Sequence, residues 1–595
     1  MNTYRPWRSL ALTLILTLIM VGCVAFPITP VAPAPTPTYT IEPGVATATP
    51  PAELSSQTEQ AFGSSCKDEA ETTPIAPEKP AKEEAFPWWN NTVFYEIFVR
   101  SFYDSDGDGV GDLNGLIQKL DYLNDGDPST TDDLGVTGIW LMPIMESPSY
   151  HGYDVVDYYR VDREYGTNED FRRLIAEAHR RGIRVIVDMV LNHTSSKHPW
   201  FQSARSDPNS PYRDFYIWSD EGPGYKGPWG QRVWHRTPTG YYYGIFWEGM
   251  PDLNYENPAV TAEMQKVIRF WLEDMGVDGF RLDAVKHLIE EGRVQENTPS
   301  THAWLRDFYA FYKSINPEAL TVGEVWSSTT EVVKYIGDQL DLAFEFDTAQ
   351  AMLFSARFGS RNDVLRAHRL VTERYPPNQF ATFLTNHDQP RVMTQLRGKV
   401  DKAKVAASLL LTGPGVPFIY YGEEIGQRGD KPDENIRTPM QWSDAENAGF
   451  TTAVMAWRAP QPDYREVNVA AQTRDPQSLL SHYRRLIHAR NTHEALRIGD
   501  WREVTVEDRR IYAFLRHSDA ETLLVLINLA GEPITDYRLD LEAGPLREGT
   551  TGEPPVEILT GRPVRPPAVH ERGGFQGYIP LDVLEPYSTY IIRLR

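Results

Sequence analysis

Between residues 86 and 496, short runs dense in branched and aromatic residues alternate with segments whose apolar residues recur every three or four positions. The short runs are TVFYEIFVR, TGIWLMP, IRVIVDMVLNH, GFRLDAV, ALTVGEVW, LDLAFEFD, FATFLTNH and VPFIYYGEE. Between and after them lie helical patterns such as LNGLIQKLDYL, NEDFRRLIAEAHRRG and LLSHYRRLIHARNT. Strands that alternate with crossover helices run parallel, and eight of them is the number that closes a (β/α)8 TIM barrel. NPAVTAEMQKVIRFWLEDMG shows the helical half: Asn257 can cap, Pro258 suits the first turn and Gly276 can stop the helix. Its Val260, Met264, Val267, Ile268, Trp271, Leu272 and Met275 fall on one face, which predicts core packing rather than a cofactor box.

Two stretches break the alternation. From residue 192 to 250 the chain is dense in Pro, Gly, Trp and Tyr and too long for an ordinary loop, so an inserted subdomain after the third strand is expected. From residue 497 to 595 the pattern turns to β-rich runs such as TLLVLINLAG and STYIIRLR, which predicts a C-terminal antiparallel β-sandwich. The barrel is therefore expected in two parts, 86–191 and 251–496.

The N-terminus carries a different pattern. Arg5 and Arg8 precede the uncharged run LALTLILTLIMVGCVAF, which reads as an export signal and is short for a membrane span. The run ends in Met20-Val21-Gly22-Cys23, similar to a bacterial lipoprotein box in which Cys23 is acylated. The expected location is outside the cytoplasm, lipid-anchored to the cell membrane, with an uncleaved single-span anchor or full secretion as the alternatives. Residues 24–85, rich in Pro, Thr, Ala and Ser, predict an extended tether. The only other cysteine is Cys66, so a lipidated Cys23 leaves no intramolecular disulfide. A net charge of -23, from 59 basic and 82 acidic residues, excludes nucleic acid as a partner.

Candidate chemistry gathers where the predicted strands end, the rim on which a βα barrel builds its site. Asn192 and His193 follow the third run, Asp283 and His287 the fourth, Glu324 the fifth, and His387 and Asp388 the seventh. Singly, Asp283 with Arg281 would read as a buried ion pair, and Glu324 and Asp388 as helix caps. As a set at strand ends they read as catalytic, because structural pairs have no reason to cluster there.

DMVLNH, GFRLDAVKH, GEVW and FLTNHD resemble, in order and spacing, the four signature regions of the α-amylase family of glycoside hydrolases, with the resemblance running from about residue 86 to the end. The resemblance implies Asp283 as nucleophile, Glu324 as general acid/base and Asp388 as the carboxylate that holds sugar hydroxyls. It implies Arg281 beside Asp283, His193 and His387 bonded to the sugar, and Tyr153 stacked under the reacting glucose. Lys286 and His287 of the same stretch are grouped with the substrate-binding residues. Retaining acetal cleavage asks for such a set, one ionised carboxylate to attack and one protonated carboxyl to donate. Arg281 is expected to lower the pKa of Asp283, and desolvation and neighbouring charge to raise that of Glu324.

DSDGDGVGDLNG, residues 104–115, alternates carboxylates with glycines, a pattern suited to Ca²⁺, although Gly115 stands where an EF-hand needs Glu. The family implies Asp104, Asp106, Asp108, Val110 and Asp112 as its ligands. Asn192 is a candidate for a second calcium site whose other ligands the sequence does not identify. MPDLN resembles a mixture of the family's oligo-1,6-glucosidase and neopullulanase versions and RTPMQW leans toward the oligo-1,6-glucosidase and trehalose synthase side, whereas Tyr150 stands where exo-acting members commonly carry an Asp. The expected activity is an α-amylase cleaving internal α-1,4 bonds of starch-like glucans, acting as a monomer. The runners-up are an α-glucosidase, oligo-1,6-glucosidase, neopullulanase or glucanotransferase with the same residues, and, from another class, a non-catalytic glucan-binding barrel.

Overall fold

The computed structural model describes residues 86–547 and 554–595. The predicted export signal, Cys23 and the tether lie outside the described residues. The predicted strand runs form β1 (Phe94–Ile97), β2 (Gly138–Leu141), β3 (Arg184–Met189), β4 (Gly279–Leu282), β5 (Leu320–Gly323), β6 (Leu342–Ala343), β7 (Ala381–Thr382) and β8 (Val416–Tyr420). All pair in parallel in the order β6-β5-β4-β3-β2-β1-β8-β7. A single parallel bridge from Phe344 to Ala381 joins β6 to β7 and closes the ring.

Alternation along these strands sorts the side chains into two cores. Phe94, Trp140, Ile186, Leu320, Val322, Phe344 and Phe418 fill the barrel interior, while Tyr95, Ile139, Val185, Val187 and Ile419 join the larger core beneath the helices. Interior positions continue in steps of two to the C-terminal rim. The residue two beyond Phe94 is Glu96, two beyond Ile186 is Asp188, and two beyond Val322 is Glu324.

The helix predicted from NPAVTAEMQKVIRFWLEDMG spans Pro258–Arg269, with the Asn257 side chain accepting from the Ala259 N–H. It continues as a π turn over Phe270–Asp274, which the apolar spacing did not predict, and all seven predicted core residues are buried. LNGLIQKLDYL, expected as one helix, is two, Leu113–Gln118 and Leu120–Leu123, interrupted at Lys119. The inserted subdomain carries the helix Pro199–Ser206 and a three-stranded antiparallel sheet of Trp218–Ser219, Gly240–Tyr243 and Trp234–Thr237.

At the C-terminus, Asp500–Glu503, Ile511–His517, Thr522–Asn528 and Thr589–Arg593 pair antiparallel. Ala513, Leu515, Leu524 and Leu526 pack with Leu539, Leu541, Phe575 and Tyr578 of a two-stranded sheet, giving the sandwich core. The opposite face, Tyr512, Phe514, Val525 and Ile527, joins the barrel's helical core, so the sandwich is seated on the barrel by the same period-two pattern.

Candidate active site

Seven of the nine predicted catalytic and substrate-binding residues, Tyr153, His193, Asp283, Lys286, His287, Glu324 and Asp388, line one cavity of about 500 Å³ at the C-terminal rim. The other two, Arg281 and His387, are buried directly beneath and bond to residues of that lining.

Arg281 organises the floor. Its Nη1 donates to Asp283 Oδ1 at 2.7 Å and to both oxygens of Asp188 at 2.8 and 3.0 Å, and its Nη2 donates to Glu324 Oε2 at 2.5 Å. β3 and β4 set Asp188 and Arg281 in register, and Ala284, in a left-handed conformation at φ 47°, ends β4 so that Asp283 stands at the rim. One guanidinium bridging Asp283 and Glu324 keeps the two carboxyls on one side of one cavity, compatible with the roughly 5–5.5 Å spacing of retaining glycosidases.

The two carboxyls differ in acidity. Burial pushes Asp283 up to about 6, against the pull of Arg281 and with Asp188 adding repulsion. Arg281 does lower Asp283, as expected, but desolvation outweighs the ion pair and the net shift is upward. Burial also pushes Glu324 up to about 7, with Arg281 opposing and Asp283 and Asp388 reinforcing the rise. Asp388 is the opposite case: burial raises it, but His387 and Arg437 hold it well below the usual carboxylate range. Arg437 Nη2 bonds Asp388 Oδ1 at 2.7 Å and Asp433 at 3.3 Å.

Around the glycone end, Tyr153 hydroxyl donates to Asp188 at 3.0 Å and lies 2.7 Å from His387 Nε2, with the two rings stacked at 5.5 Å. His193 Nε2 contacts the Tyr153 carbonyl at 3.2 Å, and burial lowers its pKa to about 3, so it binds as neutral imidazole. His287 is likewise neutral, lowered by burial to about 4, with Nδ1 on the Gln295 carbonyl. Lys286 is already engaged, with its ammonium 2.7 Å from Glu296 and 2.9 Å from the Trp326 carbonyl.

Asp188, Glu96, His151, Met250, Phe246, Asp433 and Arg437 also surround the site, and the sequence reading assigned none of them. Asp188 and Glu96 did carry a signal, a carboxylate inside an otherwise apolar strand run. Among the aromatics of the inserted subdomain, Trp229 lines the cavity, whereas Trp200 packs on His198 and Phe215 and Tyr242 and Tyr243 are buried. Trp326, two residues beyond Glu324, lines the opposite side and stacks on Phe346 at 4.6 Å.

No residue of the Asp-rich loop is among those lining this cavity. Carboxylate oxygens of Asp104, Asp106 and Asp108 lie within 4.8 Å of one another. Hard oxygen donors so close fit a divalent cation of the calcium type, and desolvation, with repulsion from Asp108, Asp104 and Asp112, raises the exposed Asp106. Asp112 is not part of that group: its carboxylate accepts from the Ser105 and Gly115 N–H groups and caps the helix Leu113–Gln118. Val110 donates its N–H to Asp108. Gly109 sits at φ 97°, where a side chain would meet the Met455 carbonyl, so the loop is moulded against residues 450–457. Asn192 leaves its side-chain oxygen unpartnered near the equally unpartnered Asp252 Oδ2.

Comparison with known proteins decides the family. Residues 96–499 match the family model described as alpha amylase, catalytic domain. The chain belongs to the α-amylase family. Among its relatives, Alpha-amylase 3 of Dictyoglomus thermophilum is 44% identical over 449 residues, covering 74% of this chain and 85% of that protein. An oligo-1,6-glucosidase of Parageobacillus thermoglucosidasius is 34% identical over 519 residues, covering 74% and 90%. The crystal structure of the alpha-amylase from H. orenii superposes with a TM-score of 0.73 at 41% identity, covering 84% of this chain and 99% of that one. As a member of this family the protein hydrolyses glycosidic bonds.

The roles that the resemblance implies, attack by Asp283 and proton donation by Glu324, require Asp283 ionised and Glu324 protonated. We expect kcat/KM on soluble starch to be bell-shaped, rising near pH 6 as Asp283 loses its proton and falling near pH 7 as Glu324 loses its own. The two limbs belong to the coupled pair. A profile still rising at pH 9 would contradict these roles.

Proposed function

We propose that the protein is a retaining, endo-acting α-amylase that cleaves internal α-1,4 bonds of starch-like glucans. The observation that carries the mechanism is the Arg281 bridge, which holds Asp283 and Glu324 as a pair of unequal acidity over one cavity. Asp283 attacks the anomeric carbon while Glu324 protonates the leaving oxygen. Glu324 then takes a proton from the water that releases the glycosyl group. Asp388 holds the hydroxyls of the reacting ring, with His387 buried behind it, and Tyr153 lies beneath the ring.

Endo action is supported by the rim. Tyr150 offers no carboxylate to pin a chain end and instead stacks on Trp457 at 5.5 Å. Trp229 and Trp326, 60% and 50% exposed, stand as apolar faces at the mouth, suited to further glucosyl units. A digest of soluble starch should lose its iodine colour early and yield mixed short oligosaccharides; glucose as sole product would refute endo action. The second reading, an oligo-1,6-glucosidase or glucanotransferase, draws on RTPMQW, whose Arg437 grips Asp388, and on the relatives of those kinds. Maltotriose incubated at high concentration separates it, since transfer gives products longer than the substrate.

We further propose that Ca²⁺ is held by Asp104, Asp106 and Asp108 and serves stability, neutralising their repulsion and fixing the loop against residues 450–457. At 100-fold excess over its Kd such an ion contributes about 2.7 kcal/mol. EDTA should therefore lower the melting temperature by several degrees in calorimetry while leaving initial rates at low temperature nearly unchanged; coincident scans would rule the ion out. Anchoring outside the cytoplasm through Cys23 is proposed on the sequence pattern alone.

A further inference from the structure

Glu96 is a carboxylate in the middle of β1, 2% exposed, at an interior position of the barrel. The hydrolysis described above has no step for it. Its Oε1 lies 2.6 Å from His387 Nδ1, and His387 is itself fully buried. The other ring nitrogen, Nε2, faces the Asp388 carboxylate at 3.3 Å and the Tyr153 hydroxyl at 2.7 Å. The Tyr153 hydroxyl is also 3.0 Å from Asp188, which Arg281 already supplies with hydrogen bonds. Each ring nitrogen of His387 therefore faces a carboxylate, Glu96 at Nδ1 and Asp388 at Nε2. A neutral imidazole has one N–H and would leave one of these two carboxylates facing a ring lone pair.

We propose that Glu96 is a positioning residue that holds His387 permanently as an imidazolium, placing a fixed positive charge between Glu96 and Asp388 beneath the reacting sugar ring. The surroundings are consistent with this. Burial opposes the charge on His387, but Asp388 and Glu96 outweigh it and push the ring up to about 10. Other charged groups face the pair from every side: Asp188 and Arg281 from β3 and β4, Glu324 from β5, and Arg437, whose Nε donates to the His387 carbonyl at 3.0 Å. Beyond Glu96 lie Tyr420 and Glu423 on and after β8, and the Trp140 ring meets the imidazole edge to face, with ring centroids 5.6 Å apart. Charges thus alternate along Glu96, His387, Asp388 and Arg437.

The functional consequence concerns both remaining carboxyls. An imidazolium keeps Asp388 ionised and able to accept from sugar hydroxyls. It also draws Glu324 downward while Asp388 pushes it upward, so loss of the His387 charge would raise the pH at which Glu324 gives up its proton. The inference rests on the retaining-glycosidase reading of the site.

The test is Glu96→Gln, which keeps size and an acceptor oxygen but removes the charge. The substrate is an aryl α-maltooligoside whose leaving group needs no proton, so the Glu324 limb vanishes and kcat/KM at alkaline pH reports His387. The native enzyme should be flat from pH 7 to 9. E96Q should lie within about threefold of it at pH 6 and fall by about tenfold or more by pH 9, the slope of one lost proton. Superimposable profiles would overturn the proposal. Imidazole ¹⁵N resonances of the native enzyme give a reading independent of turnover and of whether the variant folds. With 14 histidines, His387 is assigned by subtraction of the His387→Gln spectrum. It should show two protonated nitrogens throughout pH 5 to 9; titration near neutrality would overturn the proposal even in a fully active enzyme. Failure of the native enzyme to cleave the aryl substrate would instead reject the glycosidase reading.

Discussion

Asp283→Ala will abolish hydrolysis, lowering kcat by about 10⁴-fold or more, the scale seen when a covalent nucleophile is removed. Without the carboxylate no glycosyl-enzyme forms, and no neighbour can substitute: Asp188 is fully buried beneath Arg281, and Asp388 is bonded to Arg437 and His387. Folding should survive. Arg281 keeps Asp188 and Glu324 as partners, so its buried charge is not orphaned. The sign of the stability change follows from the raised pKa of Asp283. Ionising a group whose folded pKa lies above its unfolded value costs stability at neutral pH, so its removal should leave the melting temperature unchanged or higher. Glucan binding, measured by calorimetry with a maltooligosaccharide, should persist. Unchanged turnover would remove the mechanism; a collapsed melting temperature would instead make Asp283 structural.

Glu324→Gln has the second largest expected effect, and it depends on the leaving group. On starch, where the departing sugar oxygen must be protonated, the loss should reach about 10³-fold, within the range of general acid catalysis. On an aryl maltooligoside with an acidic phenol the first step needs no acid, so kcat/KM should fall by less than about tenfold. The glycosyl-enzyme then waits for a water that no base activates. It should accumulate as a mass shift on Asp283, and azide should accelerate turnover and give an α-glycosyl azide with retained configuration. Equal losses on both substrates, or an azide product of inverted configuration, would remove Glu324 from the acid/base role.

The barrel was legible because its information is local. Period-two runs and three-to-four spacing are properties of neighbouring residues, and the eight strands fall within the eight predicted runs. What the spacing missed, the split at Lys119 and the π turn at Phe270–Asp274, arises where one helix meets others and hydrogen bonding yields to packing. The Asp-rich loop divides in the same way. Its alternation of acid and glycine was visible, yet Asp112 serves as a helix cap, because the N–H groups of Ser105 and Gly115 reach it first.

The site shows where local information ends. Sequence alone determined that carboxylates and histidines stand at the ends of barrel strands, because strand alternation fixes which side chains face inward and where each run stops. Only the tertiary structure decided their charge states. The net acidity of Asp283 depends on how far water is excluded, and burial outweighs the pull of Arg281. The same holds for Glu96, which is 291 positions from His387 in the chain and 2.6 Å from it in the fold. Electrostatic interaction depends on distance through space and on the surrounding medium, and neither is written in the order of residues.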